Sequence, residues 1–427
     1  MTTFVLFGIF FITILMGIPV AFAVGLAALG AVIYAGIPIF VVFQRMFGGV
    51  DSFSLLAIPF FVFMGHVMNT GGIARRIVGL ANIFVGWVRG GLAAVNVLDS
   101  MFFAGISGSA VADTTSIGAM IIPMMIESGY ERNFTVAITI TSSVIGLIIP
   151  PSNSMILYSF VSGGVSIAGL FAAGIIPGIL VGIGLMLVVL IVSAKRGYPR
   201  HPIPPLREAL KIVREALLSL VIAVVIVGGI LGGVFTATEA AVFGVVYAII
   251  LTMFVYKEMT WKDLPAVMLK TIETTAIVIF LIATSTAFSY VMAAEQVPKT
   301  LSTFLLSISS NKYVILFIIN ILLLLVGMVM DMSPAILIFT PILLPIVTEL
   351  GMSSIQFGIM ILVNLCIGLV TPPVGSVLFV GLSLGQTTIP KLLKPLLMFI
   401  LPIFIVLLMV TYIEPVTMAL PKLLYGR

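Results

Sequence analysis

Charge is scarce in this sequence: Asp, Glu, Lys and Arg make up 8% of its 427 residues, against about 25% in an ordinary soluble domain. With 61% of residues hydrophobic, a water-soluble globular protein is excluded. Cysteine occurs once, at Cys366, which rules out an intrachain disulfide and a thiolate metal cluster. The two histidines, His66 and His201, leave little for histidine-based metal chemistry. No His-Glu-x-x-His and no Asp-rich diphosphate motif occurs, so no enzymatic activity is expected. The net charge of +5 is read as loop charge that orients a chain in a bilayer, not as a nucleic-acid surface.

In place of charge the chain has apolar length. A bilayer-crossing helix takes about 20 apolar residues, so a chain of this size holds on the order of ten of them and no sizeable aqueous domain. No charged side chain precedes Arg45. With no basic segment ahead of the apolar run, this stretch does not read as a removable signal peptide. It divides into two spans near Gly17-Ile18-Pro19, and a third runs roughly from Leu55 to Met68. Residues 71–80 then alternate basic and apolar side chains around Arg75 and Arg76, as in a helix lying in the interface.

A repeat organises the rest. Ile121-Ile122-Pro123 matches Leu343-Leu344-Pro345, and Gly146-Leu147-Ile148-Ile149-Pro150-Pro151 matches Gly368-Leu369-Val370-Thr371-Pro372-Pro373, each 222 positions apart. The same offset pairs Gly105 with Gly327, Gly129 with Gly351 and Gly163 with Gly385, a register too long to arise by chance. The expectation is an all-α integral membrane protein of two inverted repeats, 1–194 and 215–427, joined by a cytoplasmic linker at 195–214. Each repeat holds three spans, an interfacial arm, a re-entrant hairpin (about 92–127 and 313–349), a broken span (about 133–162 and 354–385) and a final span. Five crossings per half turn the second half upside down, the architecture of secondary transporters. The same topology puts fifteen of the twenty Lys and Arg residues on the cytoplasmic side, leaving Arg45, Lys299, Lys312, Lys422 and Arg427 outside.

The polar residues gather at the hairpins and breaks. Residues 105–116, Gly-Ile-Ser-Gly-Ser-Ala-Val-Ala-Asp-Thr-Thr-Ser, form a small, polar segment between apolar flanks too short to cross comfortably. Irregular backbone at membrane depth is tolerated only where protein or water covers it, and a carboxylate there marks a functional site. Gly105 and Ser109 also make a small-xxx-small packing pair, but packing accounts for neither Asp113 nor the hydroxyls of Thr114, Thr115 and Ser116. The symmetry-related segment from Gly327 to Pro334 carries Asp331. Each Pro-Pro removes backbone donors, which should free the carbonyls of Gly146, Ile149, Gly368 and Thr371 to build an oxygen cage for a hard monovalent cation. After each break Ser152-Asn153 or Gly375-Ser376 starts a half-helix whose N–H groups favour an anion. A substrate is therefore expected between the tips, at Ser109, Thr114, Thr115, Ser116, Ser152, Asn153, Gly375 and Ser376. Glu239 is read as an anchor for interhelical hydrogen bonds, and Asp99 and Glu273 as structural or near the interface.

Together these motifs resemble the large membrane subunit of tripartite ATP-independent periplasmic (TRAP) transporters. The resemblance rests on Ile58-Pro59-Phe60-Phe61-Val62-Phe63-Met64-Gly65, Gly105-Ile106-Ser107-Gly108-Ser109-Ala110, Ile149-Pro150-Pro151-Ser152, Thr236-Ala237-Thr238-Glu239-Ala240-Ala241 and Thr371-Pro372-Pro373-Val374-Gly375, and spans nearly the whole chain. It implies an elevator-type, Na⁺-driven importer of an organic acid, of the sialic acid or C4-dicarboxylate type, in the bacterial inner membrane. It further implies two partners, a small four-span membrane subunit and a periplasmic substrate-binding protein. By the same resemblance, one Na⁺ site combines Ser107, Ser109 and Asp113 with carbonyls of Gly146 and Pro150, and a second combines Gly327, Asp331, Gly368 and Thr371. The competing reading is a stand-alone Na⁺-coupled anion transporter or a channel, which needs no binding protein.

Overall fold

The structure, a computed structural model, describes residues 1–104, 108–200 and 205–426. Helices make up most of these residues, and no strand occurs among them. That follows from the composition: without water to satisfy backbone N–H and C=O groups, a helix satisfies them within one segment. Eight of the described helices are long and apolar enough to cross a membrane, which makes this a multi-pass membrane protein.

The first two apolar runs form helices of only 14 and 15 residues, Thr2–Leu15 and Val20–Tyr34, ended at Gly17 and Gly36 by positive φ. At 1.5 Å per residue they are about 21–23 Å long, shorter than a hydrocarbon core of about 30 Å. A third short helix, Phe40–Val50, precedes the expected third span, which runs through Phe53–Leu56 into Ala57–Thr70. In the second half the equivalent stretch is one continuous helix, Leu264–Ala294, and it packs against Val20–Tyr34, Phe40–Val50 and Ala57–Thr70.

Helix boundaries follow the 222-residue register. Ala110–Glu127 and Met332–Glu349 begin at positions 222 apart (110 + 222 = 332) and end at positions 222 apart (127 + 222 = 349). Each is the outgoing arm of a helical hairpin, the incoming arms being Gly91–Asp99 with a π-helical turn Ser100–Ala104, and Lys312–Val329. Each hairpin is followed by a helix interrupted at proline. Arg132–Ser143 and Val144–Leu147 give way to Asn153–Val161, and Ser354–Leu369 to Ser376–Gly385. The Pro150-Pro151 and Pro372-Pro373 bonds are both cis. The halves interlock: Ser376–Gly385 packs on the first hairpin's arm Ala110–Glu127, and Asn153–Val161 on the second hairpin's arm Met332–Glu349.

Ile73–Val85 is the amphipathic arm, burying Ile73, Ile77, Val78, Leu80 and Ala81 along one face. Arg76 fixes it to the second half. Its Nη1 pairs with Glu258 at 2.8 Å, and its guanidinium stacks 3.7 Å above the Tyr256 ring. The stretch 195–214 is helical at both ends, since Ile167–Arg196 ends at Gly197 with φ +67° and Leu206–Leu231 begins nine residues later. His201 lies outside the described residues.

Glu239 is not an interhelical anchor. It forms a capping box at the start of Ala237–Ile250, accepting from the Thr236 amide at 2.8 Å while the Thr236 hydroxyl accepts from the Glu239 amide. The Thr-x-x-Glu spacing is the local signature of that cap, so the carboxylate stays with its own helix end.

Candidate functional site

In the second half, hairpin and break meet backbone to backbone. A Cβ on Gly368 would lie 2.5 Å from Gly327 Cα, so only glycine lets the two chains approach this closely. The Val374 amide then donates to the Met328 carbonyl at 3.0 Å, tying the break to the hairpin tip. Asp331 stands at the N-cap position of Met332–Glu349 without a side-chain capping bond, and its Oδ1 accepts from the Ser376 hydroxyl at 3.1 Å. Gly375 turns the chain into the last half-helix with φ +27°. Gly327, Asp331, Gly368, Thr371, Gly375 and Ser376 are thus brought to one junction, with the Asp331 side chain exposed at its mouth. The Gly368 carbonyl is not freed as expected. Its i+4 residue is Pro372, which has no N–H, but the Thr371 amide turns back to it at 3.0 Å.

In the first half the break has the same origin with a different outcome. Four residues after Gly146 stands Pro150, without an N–H, and the Ile149 amide goes to Ile145, not to Gly146. The Ser152 hydroxyl turns inward to the Leu147 carbonyl at 2.8 Å and is buried. Ser109 caps Ala110–Glu127 by accepting from the Ala112 amide at 3.3 Å. Beside it Gly108, at φ +64°, comes so close to Asn153 that a Cβ there would lie 2.8 Å from Nδ2. Asn153 Oδ1 is buried without a hydrogen-bond partner. Gly108, Ser109 and Asn153 therefore share the tip; Ser107 lies outside the described residues.

The remaining polar residues of this hairpin divide by orientation. Thr115 and Ser116 donate to carbonyls of their own helix, Val111 and Ala112, at 2.7 Å each, with Thr115 exposed. Thr114 is fully buried and donates to Ser143 at 2.7 Å, which directs it to the hairpin's packing face. Asp113 also faces inward. The Ser100 hydroxyl lies 3.1 Å from its Oδ2 and 3.2 Å from Ser142 Oγ.

Two groups of residues escaped the sequence reading. In the first half Asn96 donates to Thr139 at 2.7 Å and accepts from Ser142. In the second half Asn364, at 222 positions from Ser142, donates to Asn320 Oδ1 at 2.8 Å, and Asn320 reaches Thr411 at 3.1 Å. Both networks tie an incoming hairpin arm to the helix that breaks. The signal was available as single polar residues in apolar helices, positions retained only where a partner exists. Asp99 is wholly buried, away from any interface with water.

A family model, described as "Tripartite ATP-independent periplasmic transporter, DctM component", matches residues 7–416. The chain belongs to the DctM family. It is 39% identical to the sialic acid TRAP transporter large permease protein SiaM of Vibrio cholerae, with 96% of each chain covered. It is 41% identical to the isethionate TRAP transporter permease protein DctMQ of Oleidesulfovibrio alaskensis, covering 97% of this chain and 65% of that protein. In fold it resembles the YdaH transporter of Alcanivorax borkumensis, with a TM-score of 0.65 and 14% identity over 88% of this chain and 90% of that one. As a DctM component the chain is a large TRAP permease subunit, serving secondary transport of organic acids and not an enzymatic reaction.

Proposed function

We propose that this DctM component imports an organic acid across the bacterial inner membrane coupled to Na⁺, by an elevator movement of the hairpins and broken helices past the remaining helices. The observation that carries the reading is the second junction. There an exposed carboxylate, Asp331, sits at a hairpin tip bonded to Ser376, the first residue of a half-helix, beside the Gly327 and Gly368 backbone. A carboxylate with backbone oxygens suits a monovalent hard cation, and a half-helix N-terminus suits an organic anion. One Na⁺ is assigned to Gly327, Asp331, Gly368 and Thr371. Another is assigned to Ser107, Ser109 and Asp113 with the carbonyls of Gly146 and Pro150. The organic acid is assigned between the tips, near Ser109, Thr115, Asn153, Gly375 and Ser376. In this reading the hairpins are re-entrant, opening to opposite sides, and a small four-span membrane subunit and a periplasmic binding protein complete the transporter.

The relatives named for sialic acid and for isethionate are similarly distant, 39% and 41% identical, which supports placing much of the substrate choice in the binding protein. The test is uptake into proteoliposomes containing this chain with its small subunit, the binding protein being added outside. Sialic acid, a C4-dicarboxylate and isethionate serve as radiolabelled probes. Uptake that stops on replacing Na⁺ by K⁺ supports the proposal, and uptake at an equal rate in K⁺ contradicts it.

A further inference from the structure

Inside the first hairpin lies a polar centre around Asp113, a residue already assigned to the first Na⁺ site. Asp99 ends the incoming arm, Asp113 lies in the first turn of the outgoing one, and they are 0% and 1% exposed. Both oxygens of Asp99 and Oδ1 of Asp113 have no hydrogen-bond partner. No ion pair among the described residues includes either carboxylate, and Ser100, the residue next to Asp99, bonds Asp113 at 3.1 Å. A buried carboxylate without a counter-charge is among the most costly arrangements a protein interior can hold. The surroundings are polar but already engaged: Ser100 bonds Asp113, Ser142 bonds Asn96, and Asn96 bonds Thr139.

Two further observations point to a ligand here. The helix passes directly from Asp99 into the π-helical turn Ser100–Ala104, a backbone feature that concentrates at functional sites. The repeat also provides a comparison, since the positions 222 residues on are Ile321 and Ala335. The hairpin fold therefore does not require carboxylates here; the first half alone carries them.

We propose that Asp99 and Asp113 together hold one monovalent cation inside the first hairpin. The three unpartnered oxygens supply its ligands, with the Ser100 hydroxyl beside them. Ca²⁺ takes six to eight oxygens and Mg²⁺ keeps several waters, which a site with these few free oxygens and no exposure does not offer. Among the described residues no group of three His, Cys, Asp or Glu side chains is placed to hold a metal tightly. The first-turn position of Asp113 sets its carboxylate at the positive end of Ala110–Glu127, which favours the anion that would hold the cation. The inference rests on the proposed Na⁺ coupling. It adds Asp99 as a ligand and makes the first half's cation site the more acidic of the two, with two buried carboxylates against one exposed Asp331.

Two experiments test it. In the proteoliposome assay, Asp99→Asn should raise the Na⁺ concentration for half-maximal uptake at least tenfold, with the maximal rate approached at high Na⁺. Asp113→Asn should do the same and the double variant little more, because one ion is shared. An Asp99→Asn variant with wild-type Na⁺ dependence overturns the proposal, as does one that alters only the pH profile, the result expected of a shared proton. The second experiment uses the wild-type chain and so does not depend on a variant folding or on coupling: crystals grown in Tl⁺. An anomalous peak within bonding distance of both Asp99 and Asp113 supports the site. Peaks only elsewhere, or none, overturn it. If wild-type uptake is indifferent to Na⁺ and the Tl⁺ peak is present, the transport reading fails and the cation site stands.

Discussion

The Cys366 thiol lies 3.5 Å from the Val144 carbonyl oxygen, and the two residues are 222 positions apart, the offset of the internal repeat. A residue that touches its own symmetry partner marks where the two halves cross. Here the crossing falls in the middle of the two interrupted helices, with Cys366 fully buried. Burial without a paired thiol gives Cys366 the role of a small hydrophobe. Cys366→Ala should cost about 1 kcal/mol and leave uptake near wild type, whereas Cys366→Phe overpacks the crossing and should cost about 1–3 kcal/mol or more. Thermal denaturation followed by fluorescence-detected size exclusion measures both; equal stability of the two variants would show that the crossing is loosely packed.

Gly368→Ala should abolish uptake and lower the melting temperature sharply, because the added methyl meets backbone of Gly327 that no side-chain rotation can move aside. Gly228 lies within the helix Leu206–Leu231 with open space around its Cβ position. Gly228→Ala should therefore leave stability unchanged or raise it by about 0.5–1 kcal/mol through helix propensity. Melting curves of the two variants side by side separate close approach from propensity.

Asp331→Asn keeps the shape that accepts from Ser376 but removes the charge. If Asp331 serves a cation, the variant should express and melt like the wild type while its half-maximal Na⁺ concentration rises about tenfold, which corresponds to about 1.4 kcal/mol. Ser376→Ala, which removes only the hydrogen bond, should have the smaller effect on Na⁺. Na⁺ titrations of uptake that give the two variants equal curves would assign Asp331 to its bond with Ser376 alone.

Arg76→Lys should destabilise the attachment of the arm, although charge is retained. The guanidinium both pairs with Glu258 and stacks on Tyr256, and a lysine ammonium cannot do both. A loss of about 1–2 kcal/mol is expected. Arg75 is 71% exposed and 3.7 Å from Glu258, so Arg75→Ala should change stability by less than about 0.5 kcal/mol. Chemical denaturation in detergent measures both, and a larger effect at Arg75 would contradict this assignment of the anchor.

The inverted arrangement is tested on intact cells, in the Cys366→Ala background. A single cysteine at Ser128, which follows the first hairpin, should react with an impermeant thiol reagent only after the cells are opened. One at Ser353, which caps the helix after the second hairpin, should react from outside. Labelling of both from one side would end the elevator reading.

By itself the sequence determined what depends on neighbours along the chain. Apolar length decides membrane insertion, and with it an all-helical architecture, because a lone segment in lipid must satisfy its own backbone. Proline at 150 and 372 interrupts its helix wherever that helix lies, since the missing N–H belongs to the residue itself. The 222-residue register was legible because repeated glycines and prolines hold the same local backbone geometry in both halves. Tertiary structure decided what depends on partners far along the chain. Asp113 sits at a polar tip in the sequence, yet it turns to Ser100 on the opposite arm and lies buried. Its repeat-related helix instead follows Asp331, exposed and bonded to Ser376. The Gly327–Gly368 approach and the Asn96 and Asn320 networks join residues 41 to 91 positions apart. Local pattern encodes which face of a helix is apolar; it does not encode which oxygen of another helix will stand opposite a given carboxylate. Only packing the two halves around the Val144–Cys366 crossing decides that.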